Sequence, residues 1–361
     1  MPTIRVLVID DSAHSRQTIR RILEKDTEID VVGVSSDGID AMAKMLKLKP
    51  DIVTLDLEMP EMNGFSFLRW LMKKNPIPVI IISSTSDSKT VFKALELGAA
   101  DFIAKPSRST QADLQRMEKD LLRKVKGVKS LRIDRLSRNL ELSEKKEKRG
   151  IFSDKPSEAV EAVAIGSSTG GPTALKIILS RLPSDFPAGI AISQHMPRGF
   201  TSSFAERLNG ISKIHVKEAC EGDELVKGTV LICPGGYHMI FRKKGRRIVA
   251  TLKEPQNMDK YVPSVDMMMA SLADICGGSA MGVILTGMGS DGKLGMLEIK
   301  QRGGYTIVES EETAVVYGMP SEVIKAGAAN RVLPISEIPA EIIKIVSVER
   351  NLEGSWKKSS V

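Results

Sequence analysis

Short apolar runs alternate with amphipathic stretches through the first hundred residues of this 361-residue chain. The runs are apolar at almost every position, as strands buried on both faces of a sheet must be. The stretches between them carry apolar residues at helical spacing, so the pattern indicates repeated β-α units around a parallel sheet. The predicted strands are 5–9, 30–34, 51–55, 78–83 and 101–104, and the predicted helices lie near 14–25, 38–48, 64–74, 87–97 and 110–126.

A second β-α pattern begins at residue 162, with further short strands between 213 and 253 that are separated by turn residues. Those short strands indicate an antiparallel hairpin region added to a parallel sheet. The fold class predicted for the whole chain is therefore α/β: an N-terminal doubly wound five-stranded parallel domain, then a C-terminal α/β parallel-sheet domain with a hairpin insertion. The predicted strands are 162–166, 189–193, 281–286 and 304–308, with 213–217, 229–233, 239–242 and 248–252 in the inserted region.

The segment that joins the two patterns is highly charged and has almost nothing to bury. Residues 143–149 read Ser-Glu-Lys-Lys-Glu-Lys-Arg, a composition typical of a solvated linker. The last residues of the chain are also polar, as in a loose tail. The predicted organisation is a first domain at 1–126, a linker at 127–157, a second domain at 158–348 and a polar tail at 349–361.

The net charge of +7 is confined to one part of the chain. Residues 107–157 hold 15 Lys and Arg against 8 Asp and Glu, which leaves the remainder neutral. This placement fits a linker, or a dock for an acidic partner, better than a face that reads nucleic acid. No apolar run approaches the ~20 residues that cross a bilayer, and the N-terminus lacks a signal-peptide pattern. We expect a cytoplasmic protein with no membrane insertion and no nucleic-acid partner.

Acidic residues follow two strands of the first predicted sheet. Asp10 and Asp11 come after the first strand, and Asp56 ends the third. Ligands of doubly wound sheets bind at the carboxyl ends of the strands, so the three carboxylates should meet at one edge. Oxygen ligands of this kind suit Mg²⁺. Ser83 and Lys105 end the next two strands and bring a hydroxyl and a cation to the same edge, which indicates a metal-dependent phosphoryl acceptor.

Residues 166–170 read Gly-Ser-Ser-Thr-Gly between a predicted strand and a predicted helix, a setting that exposes Ser168 as a nucleophile. Gly- and Ser-rich turns before helices also bind phosphate, so the motif alone is compatible with a catalytic serine or with a phosphate-binding turn. A catalytic serine needs a base and an orienting acid. His195 follows a strand at the same edge and is preferred as base over His238, which belongs to the hairpin region. Asp291, in a glycine-rich turn after strand 281–286, is the candidate acid.

Two other output functions are compatible with parts of the sequence. Gly287, Gly289 and Gly292 form Gly-x-Gly-x-x-Gly after a strand, and Glu309 follows 17 residues later, as in dinucleotide-binding folds. The motif comes late in its domain, however, and places the charged Asp291 where a pyrophosphate would approach. A DNA-binding output is the other alternative, although nothing after residue 158 resembles a compact helix-turn-helix.

The acidic cluster and the residues around it give the first domain a specific resemblance. Residues 1–126 resemble a response-regulator receiver domain. Its regulatory chemistry, by this resemblance, takes a phosphoryl group from a histidine kinase and requires Mg²⁺. The implied roles are phosphorylation of Asp56, Mg²⁺ binding by Asp10, Asp11 and Asp56, contact with the phosphoryl group by Ser83 and Lys105, and a switch aromatic at Phe102.

Residues 160–347 resemble the catalytic domain of chemotaxis protein-glutamate methylesterases, the CheB family. The resemblance implies a serine esterase that needs no cofactor, is activated by phosphorylation and hydrolyses glutamyl methyl esters on the cytoplasmic helices of chemoreceptors. It also implies deamidation of receptor glutamines, which many relatives perform, and an unphosphorylated receiver that packs over the esterase cleft. The motifs that carry the resemblance are 168–171, 194–197, 263–266 and 286–292, in the same order as in the family. The implied roles are Ser168 as nucleophile, His195 as base, Asp291 as its partner, and the backbone N–H groups of Met288 and Thr169 as oxyanion donors.

Overall fold

Each of the two β-α patterns forms its own parallel sheet, and the chain divides into two units, residues 1–140 and 141–361. The structure, a computed structural model, describes residues 3–83, 88–106, 111–127, 159–256 and 258–347. The predicted tail, and the predicted linker beyond residue 127, lie outside the described residues. The two units are described separately below.

The first unit is a five-stranded sheet in which all neighbouring strands are parallel. Its strands are β1 (Ile4–Ile9), β2 (Ile29–Ser35), β3 (Ile52–Leu55), β4 (Val79–Ser83) and β5 (Asp101–Ala104). They lie in the order β2-β1-β3-β4-β5. The order reverses direction at β1, so the edge beyond β1 and β3 is the position at which such sheets bind their ligands.

Helices connect consecutive strands of the first unit, and polar side chains fix where several of them begin. The helices are α1 (Ala13–Leu23), α2 (Gly38–Leu48), α3 (Gly64–Lys74), α4 (Ser88–Glu96) and α5 (Gln111–Lys126). The side chains of Ser12, Asp37 and Asn63 accept backbone N–H groups in the first turns of α1, α2 and α3. The predicted strands and helices of this unit are confirmed to within two residues at each end.

The second unit has a seven-stranded parallel sheet and a separate hairpin. The sheet strands are β6 (Ala162–Ser167), β7 (Gly189–Gln194), β8 (His215–Glu218), β9 (Thr229–Ile232), β12 (Ala280–Ile284), β13 (Tyr305–Glu309) and β14 (Arg331–Leu333), and the hairpin strands are β10 (His238–Lys244) and β11 (Arg247–Lys253). The sheet order is β14-β13-β12-β6-β7-β9-β8, and β10 pairs with β11 in antiparallel fashion. The predicted parallel sheet with an antiparallel addition is confirmed.

Two details of the predicted strands are wrong. The segments 213–217 and 229–233 do not belong to the hairpin region: they form β8 and β9 of the parallel sheet, where β9 lies between β7 and β8 and is parallel to both. A four-residue apolar run looks the same in either setting, so its length gives no warning. The sequence also gave no indication of β14, because this edge strand has only three residues and none of them is fully buried.

Six helices complete the described part of the second unit. They are α6 (Gly171–Leu179), α7 (Thr201–Ile211), α8 (Val265–Cys276), α9 (Lys293–Gln301), α10 (Met319–Lys325) and α11 (Ile338–Ser347). Helix α8 presents Val265, Met268, Met269 and Leu272 to the core, and all four are fully buried. Their spacing of three and four residues places them on one helix face. No helix in the described ranges combines the length and the apolarity that crossing a membrane requires.

The packing of β6 against α8 generates a stability prediction. A Cβ atom on Gly166 would lie 2.3 Å from Cγ1 of Val265 and 2.8 Å from Cδ1 of Ile284, so Gly166→Ala overpacks a rigid contact. We expect this variant to lose about 1–3 kcal/mol in free energy of unfolding. The matched control is Gly210→Ala in α7, where a Cβ meets nothing within 4 Å and should stabilise the helix by about 0.5–1 kcal/mol. Calorimetric unfolding of the full chain measures both, and equal effects would contradict the proposed close approach.

Candidate functional site

Ser168 lies one residue beyond β6, at the carboxyl edge of the second sheet. Its side chain is buried at 3% exposure, and its backbone N–H donates to the Thr286 carbonyl at 3.1 Å. Helix α6 begins three residues later, after Gly170 adopts a φ of +80°. The predicted strand-turn-helix setting around the serine is thus present, and it sits against the turn that follows β12.

Gln194 connects the end of β6 to the end of β7. Its Oε1 accepts the Ser167 hydroxyl at 2.7 Å, while its Nε2 donates to the carbonyls of Ser168 at 3.0 Å and His195 at 3.1 Å. In the sheet, Ser167 is directly opposite Gln194. Register and hydrogen bonds therefore place Ser168 and His195 on adjacent strand ends, as the sequence predicted.

The imidazole of His195 is bonded to the predicted acid. Its Nε2 lies 2.8 Å from Oδ2 of Asp291, and the two side chains are 6% and 1% exposed. Because a carboxylate only accepts hydrogen bonds, Nε2 carries a proton, and in the neutral form of the ring Nδ1 has the lone pair. Nδ1 is buried and has no hydrogen-bond partner among the described residues. The two nitrogens thus have the opposite assignment from the familiar triad, in which the acid binds Nδ1.

The N-terminus of α8 holds the Asp291 carboxylate. Its Oδ2 accepts the N–H of Val265 at 2.7 Å, and its Oδ1 accepts the N–H of Asp266 at 3.0 Å, the N–H of Gly292 at 3.1 Å and the hydroxyl of Ser264 at 3.2 Å. Burial by itself raises the pKa of Asp291, but the hydrogen bond from His195 together with the N–H groups of Asp266 and Val265 outweighs it. The pKa therefore lies below its ordinary value, and the acid stays ionised. The sequence of the 263–266 motif does not by itself indicate this role.

Tyr261 is a further residue of this site that the sequence did not single out. Its ring stacks on that of His195, with centroids 5.1 Å apart and planes 6° from parallel. The Tyr261 hydroxyl also accepts the backbone N–H of Ser290 at 3.3 Å. A Cβ on Gly289 would lie only 2.3 Å from that hydroxyl oxygen, which explains glycine at this position. A single tyrosine in a loop leaves no periodic signal, so only the structure reveals the contact.

His238, the rival candidate for the base, has both ring nitrogens engaged. Its Nδ1 accepts the backbone N–H of Ser264 at 3.1 Å, and its Nε2 lies 2.9 Å from Oδ2 of Asp259. The residue is 1% exposed, so neither nitrogen is available to a substrate. Of the two histidines that the sequence offered, only His195 retains an unpartnered nitrogen.

The turn after β12 packs against Ser168, and hydrogen bonds to Glu309 and Thr169 fix its position. The Thr286 N–H donates to Oε2 of Glu309 at 2.7 Å, and the Thr286 hydroxyl donates to the Thr169 carbonyl at 2.9 Å. Glu309 is completely buried, and its Oε1 accepts the Thr313 hydroxyl at 2.9 Å. A carboxylate so enclosed cannot reach a ribose, which removes the residue on which the dinucleotide alternative depended. In the described ranges, the N–H of Met288 in this turn donates to no acceptor.

The first unit brings the predicted acidic residues together. Carboxylate oxygens of Asp10, Asp11 and Asp56 all lie within 4.8 Å of one another, with Asp10 and Asp56 buried and Asp11 exposed. Lys105 hydrogen-bonds Oδ2 of Asp56, and its Nζ lies 2.9 Å from Oδ2 of Asp10. Three converging carboxylates at a strand edge are a donor set that fits Mg²⁺.

The electrostatics of this acidic cluster are unbalanced. Burial raises the pKa of Asp10, and the nearby charge of Asp56 adds to the rise, although Lys105 opposes it. Burial by itself lowers the pKa of Lys105, but its bonds to Asp56 and Asp10 outweigh this effect and raise the pKa above its usual value. Lys105 therefore stays protonated. Its one positive charge does not neutralise the carboxylates around it, so the cluster can accept a further cation.

Ser83 and Phe102 also lie where the sequence predicted. Ser83 ends β4 at 2% exposure, and its carbonyl accepts the Lys105 N–H at 2.7 Å, so the hydroxyl-bearing residue adjoins the lysine. Phe102 points inward at 2% exposure and meets Phe92 edge-on with centroids 6.4 Å apart. The ammonium of Lys124 lies 5.4 Å from the Phe102 ring centroid.

Comparison with known proteins agrees with both sites. Residues 163–342 match the CheB methylesterase family, and residues 6–116 match the response regulator receiver domain family. A protein-glutamate methylesterase/protein-glutamine glutaminase of Geobacter sulfurreducens is 45% identical over 95% of this chain and 98% of its own length. A protein of that name from Pyrococcus abyssi is 43% identical over 96% and 95%. The crystal structure of the Thermotoga maritima CheB methylesterase catalytic domain covers 52% of this chain and all of its own, with 42% identity and a TM-score of 0.51.

Fold and comparisons together define a class, a response regulator whose receiver is joined to a hydrolase. Within that class, the chain belongs to the CheB methylesterase family and carries its receiver domain at the N-terminal end. The nucleotide-binding and DNA-binding alternatives are not favoured.

The carboxyl of Asp266, beside Asp291, generates a pH prediction. Burial and the neighbouring Asp291 charge raise the pKa of Asp266 from an ordinary 3.8 to about 6. The folded protein therefore retains a proton that the unfolded chain has released, and it loses stability as the pH rises from 3.8 to about 6. Asp266→Asn cannot ionise but keeps an oxygen for the Gly295 N–H, which Asp266 accepts at 2.8 Å. A shift of this size corresponds to about 3 kcal/mol, which solvent screening of the half-buried carboxyl reduces to about 2 kcal/mol. The variant should exceed the parent by this amount in unfolding free energy above pH 6, and match it below pH 4.

Denaturant unfolding across this pH range tests the prediction, with Asp274→Asn as control. Asp274 lies on the same helix, and its side chain is 73% exposed. A pH-independent gain from Asp266→Asn would contradict the raised pKa.

Proposed function

We propose that the second unit is a serine esterase that hydrolyses glutamyl methyl esters on the cytoplasmic helices of chemoreceptors. The observation that carries this is the hydrogen bonding of His195: Nε2 bonds a buried, ionised Asp291, and Nδ1 has no partner in the part of the chain that the structure describes, beside the strand end that bears Ser168. The substrate class rests on the names of the Geobacter and Pyrococcus relatives. A cytoplasmic substrate requires a cytoplasmic enzyme.

In the proposed mechanism, the Ser168 oxygen attacks the ester carbonyl while its proton passes to Nδ1 of His195. The resulting imidazolium is stabilised by the Asp291 carboxylate on the other nitrogen. The tetrahedral intermediate collapses when Nδ1 returns the proton to the methoxide, so that methanol leaves and a glutamyl ester of Ser168 remains. Water then adds in the same way and releases a glutamate side chain. With a glutamine side chain the leaving group is ammonia, which accounts for a glutaminase activity in the relatives' names.

Oxyanion stabilisation is assigned to the backbone N–H groups of Met288 and Thr169. Two observations support this. The Met288 N–H has no acceptor within the described residues, and it belongs to the turn whose Thr286 carbonyl binds the Ser168 N–H. The Thr286 hydroxyl also bonds the Thr169 carbonyl at 2.9 Å, which links the two segments. Donors preorganised in this manner typically contribute about 3–4 kcal/mol to catalysis.

The receiver is proposed to control this esterase through phosphorylation of Asp56 by a histidine kinase. Asp10, Asp11 and Asp56 would hold Mg²⁺, which when bound neutralises charge on the phosphoryl group. Lys105 already contacts the carboxylate that would be modified, and the Ser83 hydroxyl ends the next strand. A phosphoryl group adds roughly −1.5 to −2 charge. The new acceptors would draw Lys105 and Ser83 toward residue 56 and leave space into which Phe102 repacks.

Replacing the nucleophile tests the esterase proposal. Ser168→Ala should lower turnover of a methylated receptor peptide by on the order of 10⁴-fold or more without unfolding the protein. The matched control is Ser167→Ala, which removes a hydroxyl one residue away that is already bonded to Gln194. Its turnover should stay within about tenfold of the parent, since one neutral hydrogen bond is worth about 1 kcal/mol. Methanol release measures both, and near-parental turnover by Ser168→Ala would overturn the assignment.

Control by phosphorylation is tested with a small phosphodonor. Acetyl phosphate and Mg²⁺ should raise the rate of methanol release by the full chain, because the donor needs only the acidic cluster. Asp56→Asn should keep the basal rate and lose the response, whereas Asp30→Asn, at an exposed β2 carboxylate, should retain both. A full response from Asp56→Asn would place the phosphoacceptor elsewhere.

A further inference from the structure

We propose that His238 is a positioning residue for the esterase, because it fastens both ends of the loop that holds the catalytic histidine and its acid in place. This inference rests on the proposed function of Ser168, His195 and Asp291. The loop comprises residues 259–264. Its first residue bonds one nitrogen of His238, and its last residue bonds the other.

The hydrogen bonds of His238 define a single neutral tautomer. The Ser264 backbone N–H donates to Nδ1 at 3.1 Å, so Nδ1 must carry a lone pair. The proton is therefore on Nε2 and is donated to Oδ2 of Asp259 at 2.9 Å. That oxygen also accepts the Gln256 N–H at 2.7 Å, which helps to keep the Asp259 pKa below its usual value. Because His238 is 1% exposed, water cannot replace either contact without opening the structure.

The Ser264 end of the loop is hydrogen-bonded to the catalytic acid, Asp291. Ser264 is the N-cap of α8, and its hydroxyl accepts the Met267 N–H and donates to Oδ1 of Asp291 at 3.2 Å. The next residue, Val265, donates its N–H to Oδ2 of Asp291 at 2.7 Å. His238 therefore determines where the helix begins, and the start of the helix determines where the Asp291 carboxylate lies.

The middle of the loop contacts the catalytic base, His195. Tyr261 stacks on the His195 ring with centroids 5.1 Å apart and forms one wall of the imidazole site, and the ammonium of Lys260 lies 5.1 Å from the centroid of the Tyr261 ring. Only four residues lie between the two fastened ends of the loop, so releasing one end frees Tyr261 to shift. His238 thus acts on His195 twice, through Asp291 and through Tyr261, without contacting substrate.

Two substitutions separate the contacts of His238. Asn places an oxygen near the position of Nδ1, so His238→Asn retains an acceptor for the Ser264 N–H and loses Asp259. Gln reaches the position of Nε2, so His238→Gln retains a donor for Asp259 and leaves the Ser264 N–H unpaired. If positioning of Asp291 dominates, kcat should fall by about 10- to 100-fold in His238→Gln and by less in His238→Asn, with KM unchanged within about threefold.

A readout independent of turnover is the proton on Nε2 of His195. Its bond to an ionised carboxylate should give a low-field proton resonance in the full chain, identified by its absence in His195→Asn. The resonance should persist in His238→Asn and broaden or move upfield in His238→Gln. His215→Gln, at an exposed histidine of β8, is the control and should change neither the resonance nor kcat.

The outcomes are distinguishable from failure of the proposed function. If turnover does not depend on Ser168, the esterase assignment fails, while the resonance still tests His238. Parental kcat and an unchanged resonance in His238→Gln would overturn the positioning role, as would equal losses in both variants that track equal falls in melting temperature. Should His238→Gln fail to fold, Asp259→Ala releases the other, exposed end of the loop and should still lower kcat with KM retained.

Discussion

The second unit depends on one carboxylate that remains charged although it is buried. Taking a carboxylate out of water is costly unless donors replace its hydration. Asp291 receives N–H groups from the first turn of α8, a hydroxyl from the cap of that helix and the imidazole N–H of His195. The partial positive charge of a helix N-terminus acts in the same direction. Because these donors come from the start of α8 and the end of β7, and the carboxylate itself follows β12, the bond that orients His195 also fixes where β12, α8 and β7 meet.

Much of this arrangement could be predicted from the sequence, for a physical reason. Parallel strands end at one edge, so any polar residue directly after an apolar run belongs to that edge. That rule assigns Ser168, His195 and Asp291 to one edge of the second sheet, and it assigns Asp10, Asp56 and Lys105 to one edge of the first. It needs only strand direction, which apolar runs and connecting helices reveal.

The features that escaped prediction depend on contacts across loops. Tyr261 lies in a loop and His238 at the start of β10, and the partners that they contact are 66 and 26 residues away in the chain. Which ring nitrogen of His195 faces Asp291 depends on the orientation of the ring, and a sequence motif does not specify that orientation. Strand β9 was misassigned because four apolar residues suit either a hairpin or a buried parallel sheet.

The two units use strand-end carboxylates in opposite ways, and the difference lies in their donors. Asp291 is surrounded by N–H groups and its pKa is lowered. It is therefore an ionised, hydrogen-bonded carboxylate, which suits it to orient a base. Burial raises the pKa of Asp10, and the charge of the nearby Asp56 adds to the rise, even though Lys105 lies 2.9 Å away. A cluster that one lysine leaves short of positive charge is suited to bind a cation and to be modified. Both sheets place carboxylates at the ends of their strands. In the second sheet backbone N–H groups face Asp291 and hold it as an ion, whereas in the first sheet other carboxylates face Asp10, so that cluster is suited to bind a cation and to be modified.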